Sequence, residues 1–186
     1  MKHLLIVHLL IVHLLIVVVT ANLAAQQAAL KEQAFPEIKA KMLIPEGWFT
    51  KGESEDGVTV YQISREKAES EDDVFSAGLI LSVTSKVPDR ASMRPSEYAS
   101  DLLSSAQEEG DGPKLERTEE GPLQCFRVEY TIESDDGNIK VVNLAKANDN
   151  TGTLYFATWQ SPEKEEPQLK DVREAVLASL AIDPTF

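Results

Sequence analysis

The chain holds a single cysteine, Cys125, and three histidines, His3, His8 and His13, all within its first thirteen positions. A lone cysteine cannot close an internal disulfide, so the fold must be held by packing. Beyond His13 there is no imidazole to serve as the base of a Ser/His/Asp or Cys/His mechanism, and the commonest ligand for zinc, copper or iron is missing. Cys125 as a nucleophile would need a depressed pKa. Its neighbours Arg127 and Glu129 oppose one another in charge and no helix start lies nearby, so it reads as a small packed side chain. No phosphate-cradling glycine loop occurs; "EEGDGP" is a single turn. These absences assign no catalytic, cofactor-binding or metal residue, and the chain reads as a non-enzyme.

What is present begins with "HLLIVHLLIVHLLIV", one five-residue unit written three times. At about 100° per residue, a spacing of five turns each histidine roughly 140° from the last, so the three cannot converge on one metal. Lys2, the apolar run Leu4–Val19 and the small, polar "TANLAAQQAA" follow the order of a secretory signal peptide. The run is shorter than the roughly 20 residues of a membrane span and is interrupted by His8 and His13. Cleavage after Ala25 is expected, with Ala21 as second choice and a retained N-terminal anchor as the alternative. No cysteine lies near the cut to carry a lipid. The sequence thus divides into a signal peptide (1–25), a polar linker (26–34) and one domain (35–186).

Without residues 1–25, which hold Lys2 and no acid, 17 of the 18 basic residues remain against all 31 acidic ones, a net charge of −14. Such a surface argues against nucleic acid or anionic lipid, whose binding depends on Lys and Arg neutralising phosphate, and points to partners with a basic face. About 160 residues suffice to bury a core as one domain.

Along the mature chain, Ile38–Ile44 alternates into "PEGW", which gives a strand, a tight turn at Pro45 and Gly47, and a second strand from Trp48. "GVTVYQIS" (57–64) follows the turn-like "ESEDG" and is a strand by composition, with the acidic "EKAESEDD" a loop after it. "FSAGLILSVTS" (75–85) is almost continuously apolar and suits a central strand covered on both faces. Pro95 and Ser96 open a helix with Tyr98, Leu102, Leu103 and Ala106 at helical spacing. "LQCFRVEYTI" alternates, with Phe126, Val128, Tyr130 and Ile132 on one face and Cys125, Arg127, Glu129 and Thr131 on the other. After a turn at "SDDGN", "IKVVNLAKA" and "TLYFATWQS" flank "NDNTG" as an antiparallel hairpin. Pro167 precedes a helix with Leu169, Val172, Val176 and Leu180 as its apolar stripe and Lys170, Arg173 and Glu174 toward water. The sum is an α+β fold, an antiparallel-rich β-sheet packed with helices in a sandwich.

This order, with "IPEGW" near the start, "PSEYASDLL" in the middle and "VREAVLASLAI" at the close, resembles the PsbP-like fold shared by DcrB-type bacterial envelope proteins, over roughly Phe35–Asp183. The resemblance implies structural roles for Pro45, Gly47 and Trp48 at the turn and for Ser179 and Leu180 at the end of the last helix. It carries over no catalytic residue. Photosynthetic members of the fold are extrinsic subunits that help retain calcium and chloride at photosystem II, and a eukaryotic relative binds the GTPase Ran. This chain departs from both in having no mature histidine and an export address.

The acidic stretches "ESED", "ESEDD" and "SDDG" lack the ligand spacing of a calcium loop, and "NDNTGT" lacks the acidic bidentate residue that should close one. Thirty-one acids offer many carboxylate pairs, too many for any pair to be informative. Trp48 and Trp159 read as core or half-buried anchors. The expected function is an exported, non-catalytic binding or adaptor protein of the cell envelope, periplasmic or extracellular, docking through an acidic surface onto a basic-faced protein. Alternatives are a calcium-dependent structural module and a hydrolase using acidic residues without a recognisable motif.

Overall fold

The strands of the chain assemble where alternation of apolar side chains is longest. In the computed structural model, which describes residues 29–67, 75–108, 114–133 and 137–186, ten strands, two single 3-10 turns and three helices follow one another. They are β1 (Leu30–Phe35), a 3-10 turn (Pro36–Ile38), β2 (Ala40–Pro45), β3 (Phe49–Glu55), β4 (Val58–Ser64), β5 (Gly78–Thr84), α1 (Val87–Ala91), α2 (Pro95–Glu108), β6 (Glu116–Glu120), β7 (Leu123–Ile132), β8 (Ile139–Asn148), β9 (Thr153–Pro162), a second 3-10 turn (Glu163–Glu165), α3 (Glu166–Ala178) and β10 (Ala181–Ile182). Seven strands form an antiparallel sheet in the order β3-β4-β5-β9-β8-β7-β6, and β1-β2-β10 form a second, smaller one.

Period-two alternation gives the large sheet two distinct faces. Ile63, Leu79, Leu81, Val83, Val142, Tyr155, Ala157 and Trp159 point one way, into a core closed by the small sheet and by Val172, Val176, Leu177 and Leu180 of α3 and its end. This is the closed face. Phe126, Val128, Ala145, Ala147 and Leu154 point the other way, where Ala99 and Leu103 of α2 and Val87 of α1 pack on them. Helix α2 therefore covers β7, β8 and β9, and no described element lies over the same side of β3 and β4.

Expectation and structure agree on the α+β class and on most elements. The Pro45–Trp48 turn forms with Gly47 at φ 84°, in the left-handed region glycine favours, and Trp48 N–H donates to the Pro45 carbonyl at 3.2 Å. The hairpin across "NDNTG" pairs Asn148 with Thr153. Ser179 does have a structural role: its hydroxyl accepts from Leu43 N–H at 2.7 Å and donates to the Val176 carbonyl, fastening α3 to β2.

Four expectations are corrected. Residues 30–34, read as linker, belong to β1, which pairs with β2 from Leu30↔Pro45 to Phe35↔Ala40. Residues 53–55, read as part of a turn, continue β3 up to a two-residue connection at Asp56 and Gly57. The central strand is β9; β5 lies third of seven, its residues Leu79, Leu81 and Val83 buried but Ile80, Ser82 and Thr84 only half-buried. Its apolar run reflects one closed face and one partly covered face rather than a central place. Arg173, placed toward water, is 1% exposed. It points from α3 onto the closed face, where three carboxylates meet it.

Candidate interaction surface

Charge inside the closed face is neutralised locally. Arg173 pairs with Glu166, with Glu174 at 3.0 Å and with Glu129 at 3.7 Å, while Arg127 pairs with Glu174 at 2.7 Å and Lys140 with Glu129 at 2.9 Å. Burial alone would push the Glu129 and Glu174 carboxyls up. For Glu129 the Lys140 hydrogen bond and the Arg173 and Arg127 charges outweigh it, and for Glu174 the bonds from Arg127 and Arg173 do so, holding both below the usual carboxylate range. At the other end of this face Lys146, 5% exposed, donates to Glu120 and to the Leu180 carbonyl, both at 2.7 Å. Cys125 lies beside it, and burial pushes its thiol up, with Glu120 adding to the rise and Lys146 opposing it. A buried thiol held protonated is a poor nucleophile, which fits the packing role expected of it. The two buried cations, Arg173 and Lys146, each have their partners inside the protein, and the cluster joins α3 to β7 and β8.

Asp149, in the loop considered for calcium, is already engaged. Its two oxygens accept from Ser96 N–H at 2.9 Å and Ser96 Oγ at 2.7 Å, so it caps the first turn of α2 from the neighbouring hairpin. Glu97 completes the cap by accepting from Arg94 N–H, the reciprocal half of a capping box. Asn148 binds the Pro184 carbonyl through its amide and Asn150 N–H through its oxygen. Both Trp side chains are structural as expected: Trp159 is fully buried and Trp48 stacks on it with centroids 5.5 Å apart. Among the described residues no group of three or more His, Cys, Asp or Glu side chains could hold a metal ion. The three histidines, both cleavage positions, "ESEDD" and most of "SDDG" lie outside the described residues.

The bare side of β3 and β4 has a different character. Phe49 is 46% and Val60 37% exposed, and around them stand Lys51, Glu53, Glu55 and Gln62. A shallow depression of about 250 Å3 is lined by Phe49, Thr50, Lys51, Gln62, Ser64 and Lys67. Small-molecule sites are deeper, typically enclosing most of their ligand, and this depression is open; Phe49 and Val60 stand on the same uncovered side among charged neighbours. Every residue of β3 is exposed, and its outer edge has no described neighbour. Sequence reasoning missed this site because nothing in "FTKGESE" signals which side of a sheet stays uncovered.

No family model and no curated protein matches the chain. Among solved structures, the solution structure of cyanobacterial PsbP (CyanoP) from Synechocystis sp. PCC 6803 matches with a TM-score of 0.56 at 15% identity, over 84% of this chain and 94% of that one. The fold is PsbP-like. Looser matches are a Bacteroides thetaiotaomicron protein (12% identity, 82% of this chain and 48% of that one, TM-score 0.48) and the Saccharomyces cerevisiae Ran-binding protein Mog1p (14% identity, 84% and 96%, TM-score 0.45). At these identities the likeness to PsbP establishes architecture alone, and the surface is read from this chain's own residues. No helix among the described residues is long and apolar enough to cross a membrane.

Proposed function

We propose that the protein is an exported, non-catalytic docking protein of the cell envelope that engages a basic-faced protein partner. The observation that carries this reading is the uncovered side of β3 and β4, where Phe49 and Val60 stand exposed beside Glu53 and Glu55. Exposed apolar side chains on an uncovered sheet face, rimmed by charge, support a contact there. The formal net charge of −14 without residues 1–25 supports electrostatic steering toward a positive partner. The order of Lys2, apolar run and small residues supports export with cleavage after Ala25, leaving Gln26 first and the folded domain starting at β1.

The test is an affinity pull-down from native envelope at low and high salt with Phe49→Ser as control, alongside melts in EDTA and in millimolar calcium. A partner retained by the native chain at low salt, weakened as the Debye length falls below about 10 Å and lost with Phe49→Ser, supports docking. A calcium-dependent rise in melting temperature would move the reading to a calcium module, since a ligand that binds only the folded state stabilises it by mass action. Turnover of an ester, peptide or glycoside, abolished by one Asp or Glu substitution, would overturn it in favour of an enzyme.

A further inference from the structure

We infer that the outer edge of β3 pairs with the β3 edge of a second copy, antiparallel and with Gly52 on the two-fold axis, joining two large sheets into one. The backbone is arranged for it. Gly57 and Arg65, which flank β4, bond to the flanks of β5: Ser85 N–H donates to the Gly57 carbonyl at 3.0 Å and Arg65 N–H to the Ala77 carbonyl at 3.1 Å. Antiparallel ladders alternate, so odd-numbered residues of β4 bond toward β5 and even-numbered ones toward β3. Through the register Val58↔Glu55, Val60↔Glu53, Gln62↔Lys51 and Ser64↔Phe49, those four β3 residues use their backbone groups on β4. Thr50, Gly52 and Ser54 direct their N–H and C=O out of the edge, where no described strand pairs with them, a template of three alternate residues.

Charge selects the register. Centring the pair on Gly52 places Thr50 opposite Ser54 of the partner subunit and Gly52 opposite itself, the bonded pairs the outward groups require. It also sets Lys51 opposite Glu53 of the partner subunit, twice by symmetry. A one-residue shift of the centre to Lys51 or Glu53 would put like charges face to face on the axis, which is unfavourable. Within one chain Lys51 and Glu53 already lie 3.0 Å apart, so the dimer would hold an alternating four-charge ladder. Gly52 brings no side chain to the axis; the Tyr61 ring lies 2.5 Å from where its Cβ would stand. The opposite edge is unsuited to self-pairing. Centred on Thr118, β6 "ERTEE" would set Arg117 against Glu119 but Glu116 against Glu120 of the partner subunit, and Arg117 and Glu120 are already engaged, by Phe126 and Ser100 and by Lys146. Pairing at β3 leaves the bare side of β3 and β4 open, so it is independent of the docking reading.

Sedimentation velocity of the full chain over micromolar to millimolar concentration, at about 0.15 M salt where the Debye length is about 8 Å, tests the inference. The native chain should shift from monomer to dimer. Lys51→Glu should weaken dimerisation about tenfold or more, because two attractive pairs become repulsive. The double exchange Lys51→Glu with Glu53→Lys should restore it, with circular dichroism unchanged throughout. A native chain that stays monomeric to the millimolar range, a dimer indifferent to Lys51→Glu, or a double exchange no better than the single one would each overturn the proposal.

Discussion

On the closed face of the large sheet, β4, β5, β9 and β8 each give apolar side chains to a core shared with the small sheet and α3, and the charges that enter it are paired. On the opposite face α2 reaches β7, β8 and β9, and the hairpin β3–β4 keeps Phe49 and Val60 in solvent. The difference follows from connectivity. Helix α3 leaves β9 and returns through β10 to β2, so it must lie across the closed face. Helix α2 is tied by Asp149 to the β8–β9 turn, which fixes it over the far half of the other face. Nothing in the described chain is left to cover β3 and β4 there. Among the described residues, one face of the large sheet is closed by packing and the β3–β4 half of the other is uncovered.

Substitutions should separate these roles. Trp159→Ala on the closed face, removing a fully buried ring stacked on Trp48, should cost about 3–5 kcal/mol in urea unfolding. Arg173→Ala should cost a comparable amount, about 3–5 kcal/mol, since it strands Glu166 and weakens the hold on Glu129 and Glu174. The larger of these losses appearing at Phe49 or Val60 instead would break the comparison.

Acid should weaken the ion cluster of the closed face. Glu129 and Glu174 titrate lower in the folded protein than in the unfolded chain. The unfolded state thus takes up protons earlier as pH falls. The stability these carboxyls supply is complete above the ordinary carboxylate pKa, about 4.3, and drains away as pH drops through their depressed folded values. Denaturant midpoints measured from neutral pH down to acid should show this loss, and the slope should flatten in Arg173→Ala.

The two faces were unequally legible in the sequence. Strand β7 announced itself because Phe126 and Val128 alternate with Cys125 and Arg127, and each set does face a different layer. The β8–β9 hairpin and helices α2 and α3 were equally plain, since periodicity and turn residues act locally. What was hidden depended on partners far along the chain. Strand β1 is mostly polar and exists because β2 pairs with it, and β6, "ERTEE", is a strand only as an edge to β7. Arg173 carries a charge that composition assigns to solvent; only its neighbours from β7 and α3 make burial tolerable. The bare surface on β3 and β4 is invisible to periodicity, because being uncovered is a property of the whole topology.

Smaller effects sharpen the contrast. Asp149→Ala should cost about 1 kcal/mol, the usual worth of a helix cap, seen as a modest drop in melting temperature. Cys125 should react with a thiol reagent only after denaturation, because it is 7% exposed; rapid labelling of the native chain would show the closed face to be loose. Phe49→Ser should change unfolding free energy by no more than about 0.5 kcal/mol, as surface substitutions do, while abolishing retention of the partner.

The most direct measurement is hydrogen–deuterium exchange of the full chain alone and with the partner retained at low salt. Slowing of exchange confined to residues 49–64, with α3 and β10 unchanged, is the predicted result. Protection gained on α3 and the small sheet, with β3 and β4 exchanging as before, would contradict the assignment of contact to the bare half of the sheet.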